Sequence, residues 1–301
     1  SHIALLVAMT ALFLMVCIWR GGVRLSPFGP VGLPVIAVLC GMAGQLVFSS
    51  AVKSVTGEPP LSRPHLTAHL VDMGPGTHFA RASCPESGFA ICDYVEKLPV
   101  NWIDFMFSVD ENAIFETAPT EQKRELSAEQ FAFTLSTLKA NPWATTLGFL
   151  RDGIVQLWSL SLEDVALTRE REEFLESHFP PDLVRKTRQT YLYGHPENVF
   201  MLNWATYLTS ALSAAVLIVW VAGGSAIAVR NDRYASNLYA VVWTCLFGVA
   251  ANALICGILA SPYGRFQARV VWILPFVALL VLIASFARNR RRSGSDETLA
   301  S

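Results

Sequence analysis

Residues 270–292 read VVWILPFVALLVLIASFARNRRR: eighteen uncharged residues, then four arginines in five positions. At about 1.5 Å of rise per residue, such a helix covers most of the roughly 30 Å of hydrocarbon in a bilayer. Four further stretches have the same character: Ile3–Trp19, Val31–Val52, Leu202–Ala222 and Leu238–Ala260. None of the five contains Asp, Glu, Lys or Arg. The expected fold is therefore an all-α polytopic membrane protein with five transmembrane helices. Intramembrane charge is the usual mark of an ion or proton path, so its absence argues against a pump.

Composition agrees. Only 16% of the 301 residues are charged, against about a quarter in ordinary soluble domains, and mean hydropathy is +0.40. The formal net charge of −1 conceals a segregation. Between Lys53 and Glu197 there are 13 basic and 21 acidic residues, whereas the rest of the chain has 10 basic and 3 acidic. An acidic middle between basic, apolar ends excludes nucleic acid as a partner and fits a solvated domain carried on a membrane anchor.

Orientation follows from the bias of Lys and Arg toward the cytoplasm. Arg288, Arg290, Arg291 and Arg292 form the strongest signal; Arg230 with Arg233, and Arg20 with Arg24, fall on the same side if the spans alternate. This divides the chain into 1–52 (helices one and two), 53–201 (a mostly helical extracytoplasmic domain), 202–287 (helices three to five) and 288–301 (a basic, unstructured cytoplasmic tail able to meet anionic lipid). Trp19, Trp204, Tyr207 and Trp272 lie at span boundaries, as interfacial aromatics do. Ser1 leads into the first span with no basic segment before it, so the chain is expected to continue from an upstream part.

Cys17, Cys40, Cys245 and Cys256 lie in the spans, where a thiol is a small hydrophobe. Cys84 and Cys92 bracket Pro85 and Gly88 in the outer domain, a spacing suited to a disulfide in an oxidising compartment. Two free thiols are the alternative.

In the outer domain, Ser62-Arg-Pro opens a helix that Gly74-Pro75-Gly76 stops, and Ser127-Ala-Glu-Gln130 reads as a capping box. The helix after it presents Phe131, Leu135 and Leu138 on one face. Asn141-Pro142 starts another, with Leu147, Leu150, Ile154, Leu157 and Trp158 along one side. Thr168 opens a charged helical stretch, and Pro180-Pro181 resets the chain for a last helix to about Leu192. Strand signals are confined to short runs such as Phe89–Val95 and Phe105–Val109. A large self-contained core is not expected, and the Leu147–Trp158 stripe would rest on the membrane or on upstream helices.

Three groups of residues invite a chemical reading. Arg265 and Arg269 stand four apart where the last helix begins, beside its unpaired N–H groups, and could hold a lipid-linked phosphate. The plainer reading is snorkelling to lipid headgroups or pairing with acids. His65, His69 and Asp72 share one helix and make a weak zinc candidate, against a solvated polar face. Asp104, Asp110 and Glu111 lie near Trp102, Phe105 and Phe107, where a carboxyl could act as acid or base. The alternative is a solvated loop. No cofactor motif is present, and no established metal signature.

The phrases Arg63-Pro-His65, Asp72-Met-Gly-Pro-Gly76, Cys84-Pro with Cys92, Ser127-Ala-Glu-Gln130 and Arg265-Phe-Gln-Ala-Arg269-Val-Val-Trp272 together resemble a group of uncharacterised, alphaproteobacterial inner-membrane proteins over nearly the whole chain. That resemblance implies a multi-pass protein of a bacterial inner membrane with residues 53–201 in the periplasm; it implies no activity.

The function expected is a non-catalytic or accessory membrane component whose acidic domain docks a periplasmic protein. The alternative is part of a glycosyltransferase using polyprenyl-phosphate sugars, to which the layout is similar. A transporter subunit comes third. Whether the protein is an enzyme stays open.

Overall fold

A computed structural model describes residues 32–163, 169–190, 196–222 and 233–299. The expected span Ile3–Trp19 and the loop arginines Arg20, Arg24 and Arg230 lie outside them. Among the described residues every regular element is helical. Four helices are long and apolar enough to cross a membrane: Val35–Thr56, Glu197–Ala222, Val241–Leu259 and Gly264–Ala287. This fits a multi-pass membrane protein.

The chain divides into two compact units. The first runs to Val155 and includes Ala253–Pro262. It begins with α1 (Gly32–Thr56), whose apolar side chains are largely exposed: Leu46, Val47 and Phe48 are 67, 69 and 62% exposed. Such a surface needs lipid to cover it. Then follow α2 (His65–Met73), α3 (Pro75–Ser83), a 3-10 helix (Ala90–Lys97), α4 (Trp102–Phe107), α5 (Thr120–Ala140) and α6 (Pro142–Trp158).

α2 packs against α3, α4 and α5. Leu66, Leu70, Trp102, Phe105, Phe115, Leu126 and Phe133 are buried between them. Each large apolar side chain so buried contributes about 1.5–3 kcal/mol before entropy is counted. Phe79, Phe89 and Phe133 meet edge to face, with centroids 5.5–6.1 Å apart. The first unit thus has a core of its own, where the sequence predicts no large self-contained one. It is built from aromatic residues scattered among polar ones, which leaves little periodic trace.

The turn between α2 and α3 is made by Gly74 at φ +107°, a conformation open to glycine, followed by Pro75 at the first position of α3. Asn101 caps α4 by accepting from the Asp104 backbone N–H at 2.9 Å. The two runs read as strand signals are therefore the 3-10 helix and α4. The Cys84–Cys92 disulfide is formed and closes the loop after α3.

One reading of α5 is corrected. Ser127 does not begin the helix: Thr120 does, after Pro119. Glu121 to Leu126 are good helix formers, so nothing interrupts the chain there. Ser127 lies mid-helix, where its hydroxyl donates to the Lys123 and Ser62 carbonyls. The face that turns inward carries Leu126, Phe133 and Thr137, while Phe131 and Leu135 are 71 and 53% exposed.

The second unit holds the remainder: α7 (Arg169–His178), α8 (Pro181–Arg188), α9 (Pro196–Ala222), the first part of α10 (Arg233–Leu259), α11 (Gly264–Val271) and α12 (Ile273–Leu299). α9 packs on α12, and Leu217, Val242, Val277, Ala278 and Val281 form an apolar cluster. The last candidate span is α11 and α12 joined at Trp272; Pro275 has no N–H for the Val271 carbonyl, which explains the break. Helical backbone continues to Leu299, where the sequence reading places an unstructured tail. Arg188 ties α8 to α7 through Glu172, at 2.6 Å, and Glu176.

Candidate functional site

A buried cluster of polar groups drawn from distant parts of the sequence lies in the first unit, around His69. On α2, Leu66 and Leu70 point into the core, and His69 shares that buried side with 1% exposure. A solvated polar face, the plain reading of this helix, is thereby overturned for His69. His65, one turn earlier, is exposed and stacks on Trp102 at 5.6 Å. The two histidines do not converge with Asp72 on a common point, and no metal-ligating group occurs among the described residues.

His69 instead meets residues far away in sequence. Its Nε2 faces Asp152 Oδ2 of α6 at 3.6 Å, and Asp152 is itself buried. Its Nδ1 lies 3.5 Å from the Ser261 hydroxyl, which donates to Asp72 Oδ2 at 2.9 Å. Arg151 donates from Nε to the other Asp152 oxygen at 2.8 Å. Phe149 stacks against the imidazole, centroids 5.7 Å apart.

Gly257 makes this approach feasible. A Cβ there would stand 2.6 Å from the Asp152 carbonyl oxygen and from the Gly153 Cα, both backbone atoms. Only glycine lets α6 lie so close to the end of α10.

Burial is the largest influence on His69 and pushes its pKa below the usual histidine value. Asp152 and then Asp72 oppose it, as does the Gly257 carbonyl, while Arg151 reinforces it. Proton counting shows why the balance matters. A neutral ring brings one proton and the Ser261 hydroxyl another, while Asp152, Asp72 and the Gly257 carbonyl all stand around them as acceptors. Acceptors outnumber protons, and Nε2 makes no hydrogen bond. A second ring proton would complete the set, at the cost of a buried charge.

The arrangement has serine, histidine and aspartate in a row, yet it is not wired as a nucleophile site. The Ser261 proton goes to Asp72 rather than to the imidazole, so His69 is not placed to accept it. Two shallow clefts flank the Gly74–Gly76 turn, one of about 410 Å³ bounded by Asp72, His78 and Arg81, the other of about 530 Å³ bounded by His78, Asn141 and Arg151. Sequence reasoning singled out His69 and Asp72 but missed Asp152 and Ser261. An aspartate inside an apolar helix pattern was the available signal.

Arg265 and Arg269 belong to the second unit. Arg265, in the first turn of α11, lies over the rings of Tyr263 and Phe266 at 5.5 and 5.3 Å. Arg269 is exposed, and its carbonyl accepts from Trp272 Nε1 at 2.9 Å. What holds this segment was not foreseen. Gln156, fully buried, bonds both the N–H and the carbonyl of Tyr263 at 2.8 and 2.9 Å. Asn252 donates to Gln267 Oε1 at 3.0 Å and to the Phe266 carbonyl at 3.1 Å.

The acidic loop is structural in its local bonds. Asp104 accepts from the Asn101 side chain at 2.6 Å, and Asp110 accepts from the N–H groups of Asn112 and Ala113 at 2.9 and 3.1 Å. Glu111 is exposed. No family model, curated protein or solved structure matches this chain.

Proposed function

We propose that this is a non-catalytic, accessory component of a bacterial inner membrane. In this reading residues 53–201 stand in the periplasm, the C-terminus is cytoplasmic, and the acidic domain docks a periplasmic protein. One observation carries the reading: two of the three acids read as acid–base candidates, and both acids beside His69, are spent on local architecture. Asp104 and Asp110 bind their own turns, and Asp72 and Asp152 bind Ser261 and Arg151. What remains for a partner is exposed negative charge, such as Glu121 and Glu125 one turn apart on α5.

In-cell photo-crosslinking from positions 121 and 125 tests this. A discrete protein adduct is expected, and it should disappear when Glu121 and Glu125 are replaced by lysine at a neighbouring labelled site. Absence of any adduct across the acidic face would sink the docking reading.

A second reading, a component of a polyprenyl-phosphate-sugar transferase, draws support from Arg265 and Arg269 sharing one face of α11. Native mass spectrometry of the detergent-purified protein separates the two. A polyprenyl-phosphate adduct lost in Arg265→Ala/Arg269→Ala would favour the transferase, and identical lipids on both would remove it. A transporter subunit has no observation in its favour here.

A further inference from the structure

We infer that α6 is an interfacial membrane helix whose outer face lies in the lipid of the bilayer, so that the first unit rests on the membrane through it. This is independent of whether the acidic domain docks a partner.

The helix is polar inward and apolar outward. Thr145, Asp152 and Gln156 are 0, 4 and 0% exposed. Trp143, Leu147, Leu150, Ile154 and Trp158 are 79, 60, 50, 51 and 71% exposed. The spacing of these five, in steps of three and four, places them in one line along the helix. A helix of a water-soluble domain shows the reverse order, because water gains nothing from covering leucine and isoleucine. An unbroken apolar line of this length asks for an apolar medium.

The occupant is identified by what α6 touches on its inner side. Gly153 packs against Leu254 and Gly257 against the Asp152–Gly153 backbone. Both partners belong to Val241–Leu259, a helix long and apolar enough to cross a membrane. Gly257 and Leu254 stand two and five residues from its end, so about 3–8 Å along the axis at 1.5 Å per residue. Interfacial helices bury their apolar faces about 5–10 Å into the boundary between headgroups and acyl chains. The contact therefore holds α6 at the depth such helices occupy. Leu254, itself partly exposed beside Gly153, carries the exposed apolar surface of α6 onto this end of the span. The remaining features match: tryptophan at both ends of the line, where an indole meets headgroups, and Arg151 exposed off the line.

The test is made on the full chain, with Cys17, Cys40, Cys245 and Cys256 replaced and the Cys84–Cys92 disulfide kept. Nitroxide labels are placed singly at Leu147, Leu150 and Ile154, with one at Glu121 as the aqueous reference. The protein is reconstituted into vesicles of phosphatidylcholine and phosphatidylglycerol. The three labels on α6 should collide with molecular oxygen far more than with a water-soluble nickel chelate, and the label at Glu121 should show the opposite. Labels on α6 open to nickel would place the face in water and overturn the inference. Labels shielded from both would show that protein covers it, a second copy or another segment of chain, and would overturn it equally. Because a labelled variant can misfold, the wild-type chain is also irradiated with a diazirine-bearing phospholipid. Adducts should map to residues 143–158 and be absent from 120–127; no adduct on the former peptide counts against the proposal.

Discussion

α2 and α6 lie in the same unit and solve opposite problems. α2 turns Leu66, Leu70 and Val71 inward and leaves His65 and Asp72 at the surface, as a helix in water does. α6 turns Thr145 and Asp152 inward and leaves Leu147, Leu150 and Ile154 outside. The two meet where His69 faces Asp152. The difference teaches that one unit can be built for two solvents. The side of a helix that is buried in protein need not be its apolar side when the other side has lipid to face. Burial by protein and burial from water are then separate quantities.

That comparison can be broken by substitution. Trp102→Ala, in the water-type core, should cost about 3–5 kcal/mol and lower the thermal midpoint of the detergent-solubilised protein by the largest amount of any change considered. A near-unchanged melt would mean that this core is not what holds the domain. Breaking the Cys84–Cys92 bridge with serine should cost about 2–3 kcal/mol, since it closes a short loop next to the same core. Comparing melts with and without reductant checks it without mutation.

Gly257→Ala addresses the join between the two kinds of surface. Its new Cβ would meet backbone that cannot rotate away, so about 1–3 kcal/mol should be lost. The separation of α6 from α10 should rise measurably by paired spin labels. A tolerated alanine with unchanged distance would show that the close approach is not required.

A smaller effect follows pH. Burial, the chief cause, depresses the pKa of folded His69 below the 6.5 of an unfolded histidine. Its contribution to stability is therefore complete above about pH 6.5 and is lost as the pH falls through 6.5 toward the folded value. The thermal midpoint should drop on mild acidification, and His69→Asn should flatten that part of the profile. A profile that persists unchanged in the variant would assign the slope to other groups. Smallest of all, Leu150→Ala on the outer face of α6 should shift the melt in detergent by about 0.5 kcal/mol or less, because the side chain is half exposed and outside the core. A large loss would mean that protein, not lipid, covers that face.

Much of this protein is legible in one dimension. Charge-free runs about as long as a bilayer is thick declare helices for lipid, and four candidate spans stand over such runs among the described residues. Pro142, Pro181 and the Gly74-Pro75 pair mark helix ends because their backbone constraints are local. The Cys84–Cys92 bridge was readable for the same reason, its partners being eight residues apart. The candidate site was only half legible. His69 and Asp72 sit close together in sequence, but Ser261 joins Asp72 across 189 residues and Asp152 joins His69 across 83. No local pattern encodes such distances. Nor could periodicity say which side of a helix is inside. The line of apolar residues on α5 and the one on α6 look alike in sequence, and both lie outside the protein core, although for α6 the sequence leaves membrane and upstream helices both open. Hydrophobic pattern determines that a face avoids water; whether protein or lipid relieves it depends on what the rest of the chain brings alongside. That decision is made by long-range contacts such as Gly257 against Gly153, which exist only once the chain has folded.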